Sequence, residues 1–310
     1  MTRRDVVVGA YAALSPEDAP TAAAAFVESI LGLDDVDGLE IPLGLAGDEQ
    51  WFQWAGGGGR HVVTAVPALA VRTRARTGFG LASADPRGRR AAIAVIAGMH
   101  EQLMRWREHG RVVTAVALSS GVPGSGGVAA RLTESLREIR SWDWGGTAVV
   151  IEHCDAVGGA GAPDKGYARL HDERAAVERS DHEGAATSGL VVNWGRSAIE
   201  FRDVSGAAVH AEQAGERLFG FMLSGVSGED GPYGPAWTDA HPPVVDTVDP
   251  SVSLLTREHA VEALASLAHP PAYVGVKTAW RPAGDRLEPR IAAVRRALDL
   301  LRTPTSGRTP

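Results

Sequence analysis

The chain has a single cysteine, Cys154, so no internal disulfide can form and a reducing compartment is the better fit. It has no apolar run approaching the roughly 18 residues of a membrane-spanning helix. It also lacks a basic surplus. With 31 Lys and Arg against 38 Asp and Glu, the formal charge is −7, which argues against a nucleic-acid surface. Repeats and low-complexity blocks are missing too. The GGGG at 56–59 reads as one flexible turn, and TPTSGRTP as a frayed tail, with residues 305–310 outside the fold. The opening MTRRDVVVGAYAAL has the basic pair and apolar stretch of a secretory leader, yet Asp5, Gly9 and Tyr11 interrupt it. It reads better as a buried first strand, and a cytoplasmic protein is expected.

Short apolar runs alternate with longer amphipathic ones. The spacing predicts strands at 5–12, 37–43, 61–67, 111–118, 147–153, 189–194, 218–223 and 272–278. These runs are rich in Val, Ile and Leu without strict polar alternation, as in strands covered on both faces. Between them lie helical patterns with start and stop signals. SPEDAP offers Ser15 as a cap, Pro16 in the first turn and early acids, for a helix ending near Gly32. Asp85–Pro86 and Gly110 bracket another. Such alternation implies parallel strands, and about eight units in 310 residues suit a single (β/α)₈ TIM barrel over residues 1–304. A long unpatterned stretch, SGVSGEDGPYGPAWTDAHPPVVDTVDPSVS, follows the seventh strand and is expected to be functional, as lids are.

A (β/α)₈ barrel carries its chemistry at the carboxyl ends of its strands. Those ends supply Tyr11, Glu40, Glu152, His153, Asp155, Asn193, Arg196, Ser224 and Lys277. The two-residue period separates neighbours. If Val150 points into the barrel, Glu152 does too, and His153 points toward the helices. The opposite parity would bury a carboxylate among apolar helix faces. Lys277, in an otherwise apolar strand, needs an anionic partner. Each residue also has a plain reading. Glu40 is then a buried acid paired across the barrel, His153 a packing histidine, Cys154 a small buried residue and Asp155 a turn cap. Arg196 and Glu200 are four apart, as in a helix-surface ion pair. GVPGSGG at 121–127 offers a weak anion cradle, and TDAHPP puts Asp239 and His241 on the long loop.

The motifs GAYA, LEIPL, VIEHCDA, NWGRSAIE and SLLT, in that order, resemble a bacterial domain family of unknown function. That family is similar to the xylose-isomerase-like barrels, which include sugar-phosphate isomerases and epimerases. The metal-dependent epimerases of that superfamily use a Glu, an Asp, a His and a second Glu from four strand ends. The resemblance places Glu152 at the first Glu, but Asn193 and Arg196 where the Asp and His would stand. Ser224 ends the seventh strand, and Lys277 stands for the second Glu. It therefore implies a site without the usual metal quartet and no cofactor. A divalent metal on Glu152, His153, Asp155 and His241 is the minority reading.

The expected activity is a sugar or sugar-acid isomerase or epimerase moving a proton beside a carbonyl. Glu152, its pKa raised by burial, would be the base, and Lys277 the electrostatic partner. Tyr11, Glu40, Asn193, Arg196, Ser224 and His241 would bind the substrate, a small carbohydrate or sugar acid, with Arg196 gripping any anionic group. The alternatives are a lyase or a Schiff-base aldolase through Lys277, a glycoside hydrolase, and a non-catalytic sugar- or anion-binding barrel. No nucleic acid or membrane partner is expected, and self-association is left open.

Overall fold

The computed structural model describes residues 4–15, 17–45, 47–281 and 286–302. In chain order come β1 (Asp5–Val8), α1 (Pro20–Leu31), β2 (Gly38–Pro42), α2 (Glu49–Trp54), β3 (Arg60–Thr64), α3 (Val66–Ala75) and α4 (Pro86–Glu108). Then follow β4 (Val112–Leu118), α5 (Val128–Arg140), β5 (Ala148–Glu152), α6 (Leu170–Arg179), β6 (Ser188–Asn193) and α7 (Trp194–Phe201). The chain closes with α8 (Gly206–Ala214), β7 (Leu218–Ser224), α9 (Arg257–Ala265), β8 (Tyr273–Lys277) and α10 (Leu287–Leu301). The strands form a closed parallel barrel in sequence order, with β8 paired to β1. This is the expected (β/α)₈ TIM barrel. The tail at 305–310 and Pro16 lie outside the described residues.

Each strand is apolar on both faces because helices cover the outside and side chains fill the inside. Leu39, Ile41, Val63, Val116 and Ile151 face the helix layer, while Val7, Val62, Ala115, Val150, Val191, Met222 and Tyr273 plug the barrel. Asp85 caps α4, its side chain accepting from Arg87 N–H at 2.9 Å, and Thr256 caps α9 in the same way.

Several boundaries differ from the sequence pattern. β1 stops at Val8, and Ala10–Ala13 coil into a 3-10 turn that swings Tyr11 over the barrel mouth. Gly9 is required at that corner, since a Cβ there would lie 2.9 Å from Glu40 Oε2 and 3.0 Å from Lys277 Cγ. α1 begins at Pro20 rather than Ser15, because Ser15 N–H donates to Asp18 at 2.7 Å and closes a separate turn. Pro67 and Trp194 belong to α3 and α7, which start directly after their strands. In the loop at 121–127 the Pro123 and Gly126 carbonyls accept from Arg131. Residues 225–256 carry no helix or strand beyond isolated bridges. Among the described residues no helix is long and apolar enough to cross a membrane.

Candidate functional site

Inward parity holds at every strand that ends in a charge. Glu40, Glu152 and Lys277 converge at the carboxyl end of the barrel, each essentially buried. Lys277 Nζ lies 2.8 Å from Glu40 Oε2 and 3.8 Å from Glu152 Oε1. Arg196, from the first turn of α7, lies 2.5 Å from Glu152 Oε1 and donates through Nε to Asp239 at 2.9 Å. Asp239, on the long loop after β7, also accepts from Lys165 at 2.6 Å, and Lys165 reaches Asp164 at 3.0 Å. Acids and bases thus alternate from Glu40 through Lys277, Glu152, Arg196 and Asp239 to Lys165.

Burial raises the Glu40 carboxyl, and the nearby Glu152 charge adds to this against Lys277. Burial pushes Glu152 up as well, but Arg196 and Lys277 outweigh it and hold the carboxylate low. The expected rise in the Glu152 pKa is therefore reversed, because two cations flank it. Burial disfavours the charged forms of Lys277 and Arg196, yet their carboxylate neighbours hold both protonated. Asp239 is held well below the usual carboxylate range: burial opposes this, but Arg196 outweighs it.

The remaining sequence candidates divide. Tyr11 stands at the same mouth, its ring centroid 5.4 Å from Lys277 Nζ, and burial raises its phenol. His241 sits 3.3 Å from Asp239 in a left-handed backbone conformation, pushed down to about 3 by burial and three nearby cations despite Asp239. Asn193 and Ser224 face the barrel but spend their oxygens on each other and on the helix start. Asn193 Oδ1 accepts from Ser224 Oγ at 2.7 Å, Gly195 N at 3.1 Å and Arg196 N at 3.4 Å. Asn193 Nδ2 and Glu152 Oε2 are buried without a partner among the described residues. His153 and Asp155 are not part of this cluster. Asp155 accepts from Lys165 N at 2.8 Å and shapes the loop between β5 and α6. Cys154 is buried, and burial pushes its thiol up to about 12.

A cavity of about 430 Å³ opens above Tyr11, Arg196 and His241, rimmed by Arg74, Arg281, Lys165, Asp164 and Asp239. Four cations face two carboxylates there, a local excess of two positive charges on an acidic chain. Lys165, Asp164 and Arg74 were not singled out by sequence; the first two had one signal, a lysine beside an acid in a glycine-rich loop following a strand, and Arg74, in the last turn of α3, had none. A larger cleft of about 570 Å³ lies at the opposite, amino end of the barrel, bounded by Arg4, Asp5 and Arg60. Its acid, Asp5, is paired with Arg60 at 2.8 Å, and no inward charged layer stands beneath it.

His153 points outward, as parity requires, to a second polar cluster. Its Nδ1 faces Glu173 of α6 at 2.7 Å and its Nε2 faces Glu200 of α7 at 3.0 Å. His210 of α8 directs Nε2 to the other Glu200 oxygen at 3.7 Å, while its Nδ1 meets Ser197 Oγ at 2.9 Å. Glu200 therefore does not pair with Arg196. The two point to opposite sides of α7, one to the helix layer and one to the barrel mouth. Glu173 and His210 were missed by sequence because nothing in a helical pattern marks which polar residue turns inward.

Over residues 7–293 the chain matches the family described as Domain of unknown function (DUF4862). It belongs to that family. An uncharacterized protein of Salmonella typhimurium is 31% identical to it over 283 residues, 87% of each chain. Among solved structures, a D-psicose 3-epimerase determined with D-fructose is similar at TM-score 0.59 and 13% identity, covering 98% of this chain and 100% of that one. An IolI protein with a bound zinc atom is similar at TM-score 0.57 and 13% identity, covering 96% and 98%. At such identity the likeness shows the fold, which is that of the xylose-isomerase-like TIM barrels.

The mouth residues of this DUF4862 chain do not fit a divalent ion such as the zinc of the IolI structure. Two fixed cations stand within 2.5 and 3.8 Å of Glu152, and Asn193 Oδ1 already accepts three hydrogen bonds. Nor are Glu152, His153, Asp155 and His241 gathered around one point. His153 turns to the helix layer, and Asp155 is engaged by the Lys165 and Gly166 amides.

Proposed function

We propose that this DUF4862 barrel is a sugar or sugar-acid isomerase or epimerase that moves a proton at a carbon beside a carbonyl. The observation that carries the reading is Lys277 clamped between Glu40 and Glu152 at the carboxyl ends of β8, β2 and β5. A buried ammonium there stabilises negative charge developing on an enolate oxygen, the work a metal does in related barrels. The two carboxyl groups are driven in opposite directions, which is how one site assigns acid and base roles. Glu40, the stronger base, takes the proton. Glu152 starts as the anion held by Arg196.

The cationic rim supports an anionic substrate, a sugar acid or sugar phosphate. Its anionic group takes the place of Asp239 on Arg196 and Lys165, opening the way from the cavity to the buried pair. With Arg196 drawn toward the substrate, Glu152 loses its strongest partner, its pKa rises, and it becomes the second proton carrier. Asn193 Nδ2 and Tyr11 offer contacts for substrate oxygens. The imine route through Lys277 is disfavoured, since a nucleophilic amine must shed the proton that two carboxylates retain. Elimination shares the first step and differs only in what leaves afterwards.

The test is solvent deuterium exchange, followed by NMR, into a panel of ketoses, aldoses, sugar acids and sugar phosphates. Exchange at the carbon next to the carbonyl is expected for at least one anionic member. Glu40→Gln and Glu152→Gln should each lower the rate by about 10²–10⁴-fold. Exchange that survives both changes would end the reading. Release of a free sugar without exchange would favour a glycosidase, and a borohydride-trapped adduct on Lys277 would favour the aldolase route.

A further inference from the structure

We propose that His153, Glu200 and His210 form a zinc-type metal site in the helix layer, separate from the barrel mouth. The three donor atoms, His153 Nε2, His210 Nε2 and a Glu200 oxygen, all lie within 4.8 Å of one another. Two histidines and one glutamate are a donor set that zinc takes, with a fourth position left for water.

The hydrogen bonds around the cluster fix the tautomers in the sense a metal needs. Ser197 Oγ donates to the Asn193 carbonyl at 3.0 Å, so it accepts from His210 Nδ1–H at 2.9 Å. That leaves His210 Nε2 with a bare lone pair aimed at a carboxylate oxygen, at 3.7 Å and beyond hydrogen-bond reach. His153 Nδ1 faces Glu173, whose other oxygen accepts from Ser120 Oγ at 2.6 Å, so Nδ1 carries its proton toward Glu173. The pattern is the carboxylate–histidine arrangement that orients metal ligands, with Glu173 and Ser197 holding the two rings from behind.

The contact between His153 and Glu200 leaves His210 Nε2 unserved, whereas a divalent ion meets all three donors. Glu200 also accepts from the Ala156 N–H at 2.8 Å, and its carbonyl accepts from Ala160 N–H. The ion would therefore fasten the loop that carries Asp164 and Lys165 to the helix that carries Arg196. Its role is to position those residues; it takes no part in the reaction.

The experiment strips purified protein with a chelator and titrates it with zinc chloride by calorimetry. Zinc-edge anomalous diffraction on crystals of the unaltered protein then locates the ion. The expected result is one zinc per chain with an anomalous peak between His153 and His210. Glu173→Gln, which leaves all three ligands in place, should weaken binding by about 10–100-fold. His210→Gln should abolish it, with circular dichroism confirming the fold. Glu40→Gln in the barrel mouth should leave it unchanged. Absence of stoichiometric binding, a peak elsewhere, or loss of binding in the mouth variant would each overturn the proposal.

Discussion

The two ends of the barrel interior are made of opposite chemistry on the same eight strands. Toward the amino end, Val7, Val62, Ala148, Val150, Val191, Met222 and Tyr273 fill the barrel with hydrocarbon and one phenol ring. At inward positions nearer the carboxyl end, β2, β5, β6, β7 and β8 carry Glu40, Glu152, Asn193, Ser224 and Lys277. An apolar plug is stable wherever it is packed; a buried charged layer is stable only when its pairing is complete. The larger open cleft lies beside the apolar end, so volume alone points away from the chemistry.

The sharpest way to break this contrast is to remove one charge from the upper layer. Lys277→Met keeps the volume but leaves Glu40 and Glu152 buried without their shared cation. A loss of about 3–5 kcal/mol is expected, seen as a lower urea midpoint at an unchanged m value. Adding Glu40→Gln should recover part of that loss, since one unpaired carboxylate disappears with it. Additive losses in the double variant would show that the pair is not coupled. In the lower layer, Met222→Ala should cost roughly 2–5 kcal/mol through the cavity it leaves. Its partner change has no rescuing counterpart, because hydrocarbon contacts are not pairwise.

Acid should weaken both ends, by way of a histidine at each. His61, in the wall at β3, accepts from Leu39 N–H, and burial with Arg111 pushes it down to about 4. His241 at the mouth is pushed down to about 3. An unfolded histidine takes up its proton near 6.5, above either folded value. The unfolded chain therefore binds more protons as pH falls, so the stability from both neutral rings is full above 6.5 and declines below it. Urea midpoints lower at pH 5 than at pH 7 would bear this out. Histidine proton resonances should show neither ring charged at pH 6; a titration near 6.5 in the folded protein would contradict the burial argument. A bound sugar acid should move the His241 resonance and leave that of His61 in place.

Strand periodicity made most of this architecture legible. All eight strands stand where the apolar runs placed them, and the two-residue period sent Glu152 inward and His153 outward. Three short helices, α2, α3 and α7, escaped because each follows a strand or turn so closely that its apolar residues merge with that run. Asn193 shows how this matters. Read as a strand end it is a ligand; read as an N-cap, a role its residue type favours, it explains why its oxygen is spent. The pKa order of Glu40 and Glu152 was not legible either. It depends on how far Arg196 reaches across from α7, a tertiary distance that no local pattern encodes.

The smallest expected effect tests the same logic from outside the barrel. Arg90 of α4 donates to both carboxylate oxygens of Glu138 on α5, at 2.8 and 3.0 Å, a geometry as good as any pairing at the mouth. Its surroundings differ: the two side chains are 72% and 40% exposed, so water and salt screen the attraction. Arg90→Ala should therefore cost no more than about 0–1 kcal/mol, and that little should fade as salt is added. If it cost as much as Lys277→Met, distance rather than burial would set the energy of these pairs. The mouth cluster would then lose its claim to be costly, and with it the main physical reason to read it as a site.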